Sequence, residues 1–185
     1  MRAFIGISLP DEARRSLAAL QQELEQSRAD VKWVEPEQLH VTLKFLDEIS
    51  DAQQSQIAQF LSRLAQQQPT FSIDLKAIGA FPSLNNPRIL WVGVGEGTSQ
   101  VIRLAGAIEE EARACSLRQE ERPYSAHVTI GRVRSARHLQ ELIQQLSAVS
   151  WQPPTPWQVA SLTFYHSVLS SAGPAYAVLA EVPLA

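Results

Sequence analysis

The stretch Leu39-His40-Val41-Thr42-Leu43-Lys44-Phe45-Leu46 decides the fold, because most of it returns 87 residues later as Ala126-His127-Val128-Thr129-Ile130-Gly131-Arg132. Each copy alternates between apolar and polar residues as a half-buried strand does. Strict alternation puts the apolar residues of the first copy on one side and its polar residues on the other: Val41, Leu43 and Phe45 against His40, Thr42 and Lys44. Each strand can therefore bury one face and present an imidazole and a hydroxyl, two residues apart, on the other face.

Composition describes an ordinary folded chain of 185 residues, long enough for one domain or two tightly joined lobes. Hydrophobic residues make up 45% and charged residues 19%, and the net charge is -3. An acidic balance argues against a long nucleic-acid footprint and leaves room for a short one at a single phosphate. The one cysteine, Cys115, cannot form an internal disulfide, which fits a reducing cytoplasm. Its spacing from Ile108 and Ala112 predicts a buried small side chain.

The chain contains no apolar run of the roughly 20 residues that a membrane-spanning helix needs. Its first apolar segment, residues 3–7, is cut short by Pro10, Asp11 and Glu12. We interpret it as a strand and not as a signal peptide, and we expect a cytoplasmic protein without a membrane partner.

The pattern of apolar residues predicts a mixed order of helices and strands. Strands are predicted at 2–8, 31–34, 39–46, 71–78, 89–94, 126–132, 158–165 and 176–182. Helices are predicted from Asp11 to about Ser27, from a Ser50 cap to before Pro69, from a Thr98 cap to Cys115, and after a Ser135 cap; residues 79–88 and 118–122 are predicted loops. Several neighbouring strands are joined by turns too short for a crossover, which favours an α+β fold with antiparallel sheets.

The repeated motif indicates an internal duplication. Each half then supplies sheet, helices and one His-Val-Thr strand, and a pseudo-twofold axis relates the two lobes. Such an arrangement places His40 and His127 face to face across a central cleft.

Two histidines suffice to cleave a phosphodiester near neutral pH. One takes a proton from the attacking oxygen and the other gives a proton to the leaving oxygen, each transfer being worth roughly 10²–10⁴-fold in rate. Thr42 and Thr129 could donate hydrogen bonds to the non-bridging oxygens, where charge builds up in the transition state. The set needs no metal or other cofactor.

Each motif also has a structural interpretation, because a strand histidine beside a threonine is often a satisfied polar pair. Repetition favours function, since four polar groups at matched positions would be costly to bury idle. Zinc would need three or four ligands, and His138 and His166 complete no such site. No Gly-x-Ser-x-Gly elbow supports a serine hydrolase.

Basic residues cluster just after the second motif, at Arg132, Arg134, Arg137 and His138, and Arg122 stands five residues before His127. Guanidinium groups suit phosphate, although a solvated loop explains Arg134 and Arg137 equally well. Strict alternation places Arg132 on the face away from His127 unless Gly131 bulges. The same parity predicts that Phe45 is a core residue and not a base-stacking one.

Four blocks of the sequence resemble the RNA 2′,3′-cyclic phosphodiesterases, also called 2′-5′ RNA ligases, of the two-histidine (2H) phosphoesterase superfamily. The likeness extends over nearly the whole chain. The blocks are Phe4-Ile5-Gly6-Ile7-Ser8-Leu9-Pro10, the first motif, Arg88-Ile89-Leu90-Trp91-Val92-Gly93-Val94, and Arg122-Pro123-Tyr124 with the second motif.

The resemblance implies that residues 1–185 form a single 2H phosphoesterase domain of two lobes, each presenting one His-x-Thr-x motif to a central cleft. It implies metal-independent opening of a 2′,3′-cyclic phosphate to a 2′-phosphate, with His40 and His127 as the acid–base pair and Thr42, Thr129 and Arg132 as phosphate ligands. The implied partners are RNA ends or tRNA fragments bearing a cyclic phosphate, or cyclic nucleotides, and no obligate protein partner. Members have also been associated with reversible 2′-5′ joining of RNA.

Two positions depart from the family pattern, which often has glycine where this chain has Asp47 and proline where it has Ala126. Neither position belongs to the four central polar groups, so the departures bear on substrate preference.

The alternative function is a non-catalytic module that holds a nucleotide in the same cleft. A third interpretation, a plain tRNA-binding factor, is disfavoured by the net charge. The two motifs look alike, so sequence does not assign the acid and the base.

Overall fold

The first motif begins a nine-residue strand and the second a seven-residue strand in a chain of ten strands and four helices. The computed structural model describes residues 1–185. In chain order the elements are β1 (Arg2–Ser8), α1 (Asp11–Glu25), β2 (Val31–Trp33), a 3₁₀ turn (Pro36–Gln38), β3 (His40–Glu48), α2 (Asp51–Gln67), β4 (Phe71–Ile73), β5 (Leu75–Ser83), β6 (Asn86–Val94), α3 (Thr98–Ala114), β7 (His127–Val133), α4 (Leu139–Ala148), β8 (Trp157–Val159), β9 (Ser161–Ser170) and β10 (Gly173–Pro183).

The motif strands β3 and β7 are neighbours in the middle of one sheet, whose strand order is β10-β9-β1-β3-β7-β6-β5, with β2 paired to β7 as an eighth strand. Strands β4 and β8 form a separate two-stranded sheet. Every pairing is antiparallel. The predicted α+β class with antiparallel sheet is therefore confirmed.

A single core of 37 buried residues includes side chains from all four helices and from strands of both halves. The predicted helix stripes are buried, as α1 illustrates with Ala13, Leu17, Leu20 and Leu24. None of the helices is long and apolar enough to cross a membrane. Cys115 is partly buried and packs against this core.

One of the three predicted helix caps is confirmed. The Ser50 side chain accepts from the backbone N–H of Gln53, whose side chain accepts from the N–H of Ser50, a reciprocal capping box. The Thr98 cap is wrong, because Gly97 (φ +79°) caps α3 and the Thr98 hydroxyl donates to the carbonyls of Val94 and Gly95. The Ser135 cap is also wrong, because α4 starts only after His138 (φ +51°).

The predicted loop at 79–88 is wrong. These residues form the paired ends of β5 and β6, joined by a turn at Leu84 and Asn85. Pro82 and Pro87 lie opposite each other near that turn, at the end of the ladder where a missing N–H is tolerated. The predicted strand 71–78 is divided at Asp74, whose side chain accepts from the backbone N–H of Glu96. The predicted strand 158–165 is likewise divided, into β8 and β9.

Each motif strand carries an irregularity at the same motif position. In β3, Thr42 and Lys44 pair with consecutive residues of β1, so Leu43 between them has no partner on β1. In β7, Thr129 and Gly131 pair with consecutive residues of β6, so Ile130 has no partner on β6. One extra residue in one strand reverses which side the following residues face. The burial pattern agrees, because both Leu43 and Lys44 are buried, as are both Ile130 and Gly131.

Candidate active site

The two motifs meet at the pairing of Val41 with Val128 in the centre of the sheet. Antiparallel register then sets His40 opposite Thr129 and Thr42 opposite His127. All four polar side chains lie on one face, and directly opposite residues have Cβ atoms about 4.5–5.5 Å apart. The predicted grouping of the two imidazoles and two hydroxyls is thus what the sheet register produces.

His40 is oriented by a carbonyl and by aromatic rings. Its Nδ1 lies 2.6 Å from the carbonyl oxygen of Gln38, and since a carbonyl only accepts, Nδ1 carries the proton. The Nε2 atom then accepts from the Thr42 hydroxyl at 2.8 Å. The imidazole stacks on Phe4, with ring centres 4.7 Å apart, and meets the edge of Tyr176 at 5.5 Å.

The ring of His40 lies over Gly6, a residue of β1 that pairs with Thr42 of β3. A Cβ added at Gly6 would lie 2.8 Å from the Val41 carbonyl oxygen and 3.3 Å from His40 Cδ2. The absence of a side chain at this position therefore gives the imidazole its place.

His127 is held in the same way by the other half of the sheet. Its Nδ1 donates to the carbonyl of Ser125, at 2.7 Å, and the ring meets Phe81 edge-on at 5.3 Å and Trp91 at 6.0 Å. Both imidazoles therefore have Nδ1 bonded to the carbonyl two residues earlier, which leaves Nε2 as the atom for chemistry.

Burial lowers the pKa of His40 below its ordinary value, and the nearby His127 lowers it further, against the opposing effect of the Gln38 carbonyl. Burial likewise lowers the pKa of His127, with a smaller contribution from the charge of Arg132. A proton on one imidazole therefore disfavours a proton on the other. The pair favours states with at most one positive charge.

The bulges bring Arg132 and Phe45 onto the same face as the histidines. Arg132 lies near both His127 and Tyr176, since its charge contributes to the lowered pKa of His127 and opposes the burial that raises the pKa of Tyr176. Phe45 is 60% exposed, with its ring centre 6.3 Å from that of Phe4, so the prediction that Phe45 is a core residue is wrong. Because the two strands are antiparallel, these side chains lie at opposite ends of the cleft.

Lys44 departs from its predicted place among the polar side chains. The bulge turns it away from His40 into the interior, where it is 5% exposed. Its Nζ lies 2.5 Å from Glu109 Oε2 and donates to the Arg118 carbonyl at 2.9 Å. Lys44 therefore anchors the loop that precedes the second motif.

The remaining basic residues near the second motif are engaged elsewhere or exposed. Arg134 pairs with Asp30 at 2.9 Å, and His138 pairs with Glu141 at 3.2 Å. The Arg122 side chain is 92% exposed. The backbone N–H of Arg137 donates to Ser135. Only Arg132 of this set is placed with the histidines.

Sequence reasoning missed the aromatic residues that line the cleft, and it missed Tyr124. The Tyr124 hydroxyl donates to the Thr42 carbonyl at 2.7 Å and ties the approach to the second motif to the first. Phe4 and Phe81 lie in segments predicted as core strand and loop. The usable signal was the aromatic at each strand flanking a motif, Phe4 on β1 and Trp91 on β6.

A family model described as LigT-like phosphoesterase matches the chain twice, at residues 7–91 and 92–176, which is the duplication seen in the sheet. The RNA 2′,3′-cyclic phosphodiesterase of Archaeoglobus fulgidus is 32% identical over 95% of this chain and 96% of that protein. That of Aquifex aeolicus is 30% identical over 98% of this chain and 96% of that protein.

Solved structures of relatives have the same fold. TT0787 of Thermus thermophilus superposes with a TM-score of 0.81 at 27% identity, over 100% of this chain and 98% of that one. E. coli LigT complexed with 3′-AMP superposes with a TM-score of 0.79 at 26% identity, over 99% and 97%. The fold, the paired motifs and these relatives define an enzyme of the phosphoesterase class. The chain belongs to the LigT-like family of 2H phosphoesterases.

Proposed function

We propose that this enzyme hydrolyses the 2′,3′-cyclic phosphate of an RNA end or a nucleotide to a 2′-phosphate, with His40 and His127 as the acid–base pair. The observation that carries the proposal is the pair of matched imidazoles beside the Val41–Val128 contact, each with Nδ1 bonded to a carbonyl. Relatives named RNA 2′,3′-cyclic phosphodiesterase support the substrate class. E. coli LigT complexed with 3′-AMP supports a nucleotide ligand.

In the proposed reaction, water attacks phosphorus while one imidazole takes its proton. The bond from phosphorus to the 3′-oxygen breaks, and the other imidazole gives that oxygen a proton, so the product is a 2′-phosphate with a free 3′-hydroxyl. Thr129 donates a hydrogen bond to a non-bridging oxygen, and Thr42 turns its hydroxyl hydrogen from His40 Nε2 to the other non-bridging oxygen when the phosphate binds. Arg132 adds positive charge where negative charge develops.

The same ring opening, with a 5′-hydroxyl attacking phosphorus in place of water and the 3′-oxygen again leaving with a proton, would join two RNA pieces through a 2′-5′ linkage; attack of the 3′-hydroxyl on that linkage would reverse it. We include this reversible ligation in the proposal, with tRNA fragments as its substrates. We further propose that residues 1–185 act as one domain of two lobes, each contributing one motif.

The test is incubation of the protein with 2′,3′-cyclic AMP in the presence of EDTA, followed by separation of 2′-AMP from 3′-AMP. We expect 2′-AMP alone, at a rate that EDTA leaves unchanged. Saturable binding without product would favour the non-catalytic nucleotide-binding module, and activity that depends on added metal would overturn the metal-independent mechanism.

Replacing His40 or His127 with alanine tests the acid–base pair. Each loss is expected to lower kcat by about 10²–10⁴-fold while the thermal unfolding curve still shows a folded protein. His166→Ala is the matched control, because His166 belongs to neither motif, and it should retain the wild-type kcat. A His40 or His127 variant with near-normal kcat would remove that residue from the pair.

A further inference from the structure

A cavity of about 220 Å³ adjoins His40 on the side that faces β9 and β10. A water molecule has about 30 Å³ of liquid volume, so the cavity has room for a small ring system. Its lining includes Ser8, Arg14, His40, Tyr165, Tyr176 and Glu181. His40 therefore belongs both to the cavity and to the proposed phosphate site, and the cavity extends that site toward β9 and β10.

Arg14 is the basic side chain in this lining, and one of its donor atoms has no partner. Its Nε atom is buried and has no hydrogen-bond partner, and its nearest carboxylate, Asp11, is 3.7 Å away with 83% of its side chain exposed. A guanidinium has five N–H donors, and a buried donor without an acceptor is unfavourable because it has lost its hydrogen bonds to water. Such a group, held in the wall of a cavity, is suited to a ligand that brings an acceptor.

The other residues that line the cavity indicate the chemistry of that ligand. Tyr165 and Tyr176 supply aromatic surface, and both have pKa values raised by burial, so their hydroxyls stay protonated. Glu37 and Glu181 supply carboxylates that can accept from N–H groups. A free phosphate would be repelled by the two carboxylates. A flat ring with acceptors and donors on its edge suits this combination of aromatic surface, cation and carboxylates, and a nucleobase is such a ring.

We infer that the cavity beside His40 is a nucleobase subsite, in which Arg14 donates to acceptors on the base edge. The inference rests on the proposed function, because His40 joins the cavity to the phosphate that the two histidines would flank. The base could be that of the nucleotide carrying the cyclic phosphate or that of the neighbouring nucleotide. Phe45 lies at the other end of the cleft and is not part of this subsite.

The test compares wild-type protein with Arg14→Met, which keeps an unbranched apolar stem and removes the donors. Arg15→Met is the matched control, because Arg15 is exposed and does not line the cavity. The substrates are adenosine 2′,3′-cyclic phosphate, the dinucleotide ApA with a terminal 2′,3′-cyclic phosphate, and methyl riboside 2′,3′-cyclic phosphate, which has no base. Removing one charge-assisted hydrogen bond should lower kcat/KM about tenfold or more, through KM.

Losses on the mononucleotide and the dinucleotide, with none on the methyl riboside, would place the terminal base in the cavity. A loss on the dinucleotide alone would place the neighbouring base there. Equal effects on all three substrates, or no effect, would overturn the subsite.

Calorimetric Kd values of the two 2′-phosphate products, measured for the same variants, test the subsite without turnover. If the wild type binds these products but hydrolyses nothing, the proposed function fails while a weaker Kd for Arg14→Met still supports the subsite. An unchanged Kd for both products would overturn it.

Discussion

His40 and His127 are chemically similar residues in matched settings, and the differences between those settings are what would separate the proposed acid from the proposed base. Each donates Nδ1–H to the carbonyl two residues earlier. His40 stacks on Phe4, whereas His127 lies near the positive charge of Arg132. The pKa of each imidazole is lowered, chiefly by burial. The charge of Arg132, which affects the pKa of His127, therefore distinguishes the two histidines experimentally.

The lowered pKa values predict the pH dependence of kcat/KM. The base must be neutral and the acid protonated, so kcat/KM rises with pH through one pKa and falls through the other. Because both pKa values lie below the ordinary value, we expect the fall to set in at or below about pH 6.5. Hydrolysis of 2′,3′-cyclic AMP measured across pH 4–8 checks this, and a plateau that extends above pH 7.5 would contradict it.

Arg132→Gln should move one limb of that profile. Removing a neighbouring positive charge raises the pKa of His127, because the imidazolium is then less disfavoured. An upward shift of the alkaline limb identifies His127 as the acid, and a shift of the acidic limb identifies it as the base. Arg134→Gln is the control, since Arg134 pairs with Asp30. A profile that Arg132→Gln leaves unmoved would show that the charge does not reach His127.

Sequence predicted the four polar residues of the motifs, because period-two alternation within one strand is a local property. It could not place Phe45, Lys44 or Arg132, because their faces depend on bulges that form between neighbouring strands. Gly131 offered a hint in the second motif. In the first motif the sequence Thr42-Leu43-Lys44 offered none.

At the scale of secondary-structure elements, most strands and helices follow from local patterns, and the errors lie where a tertiary contact overrides them. The segment 79–88 contains two prolines and two asparagines, which predict a loop, yet Gly79–Phe81 pair with Ile89–Trp91, the part of β6 that also pairs with β7. Asp74 interrupts a well-alternating segment because its side chain accepts from Glu96. Sequence shows neither partner.

The junction of β3 with α3 predicts an asymmetric pair of stability effects. The Lys44 side chain is 3% exposed and that of Glu109 is 23% exposed. Glu109→Leu strands a buried cation and should cost about 3 kcal/mol, whereas Lys44→Met removes the buried charge and should cost about 1 kcal/mol. Urea unfolding of both variants gives the two free energies. Equal losses, or the opposite order, would contradict this account of the pair.

The close approach of β1 to β3 at Gly6 predicts that Gly6→Ala both destabilises the protein and lowers kcat. The new Cβ would lie 2.8 Å from a backbone oxygen, which cannot move without shifting the strand, at a cost of about 1–3 kcal/mol. Gly106→Ala in α3 is the matched control, because nothing lies within 4 Å of its added Cβ, and it should stabilise by about 0.5–1 kcal/mol. Wild-type stability and kcat for Gly6→Ala would refute the close approach.

At the scale of the whole molecule, the two halves are interleaved. Strand β2 pairs with β7, β1 with β9, and β4 with β8, so segments far apart in sequence complete each other's sheets. One core of 37 residues lies beneath them. The predicted duplication is confirmed by the two matches to the family model, but the interleaving is a long-range property that the repeat alone does not specify.

Interleaving predicts that the two lobes unfold together. Scanning calorimetry should show one transition whose van't Hoff enthalpy equals the calorimetric enthalpy. The chain divided at the Leu84–Asn85 turn should yield two fragments that are inactive alone, because each holds a single histidine of the pair. Two resolved transitions, or activity in one fragment, would contradict a single cooperative unit.

The bulges at Leu43 and Ile130 are matched in position, but the residues that they turn outward are not, since one rim receives a phenyl ring and the other a guanidinium. The near-symmetry of the backbone is thereby broken on its working surface. The proposed substrate, a strand of RNA, has a 5′ and a 3′ sense, and the reversed orientation would set its phosphates against the hydrocarbon rim. The cleft thus has a built-in polarity, and we expect the duplicated scaffold to accept the proposed substrate in one orientation.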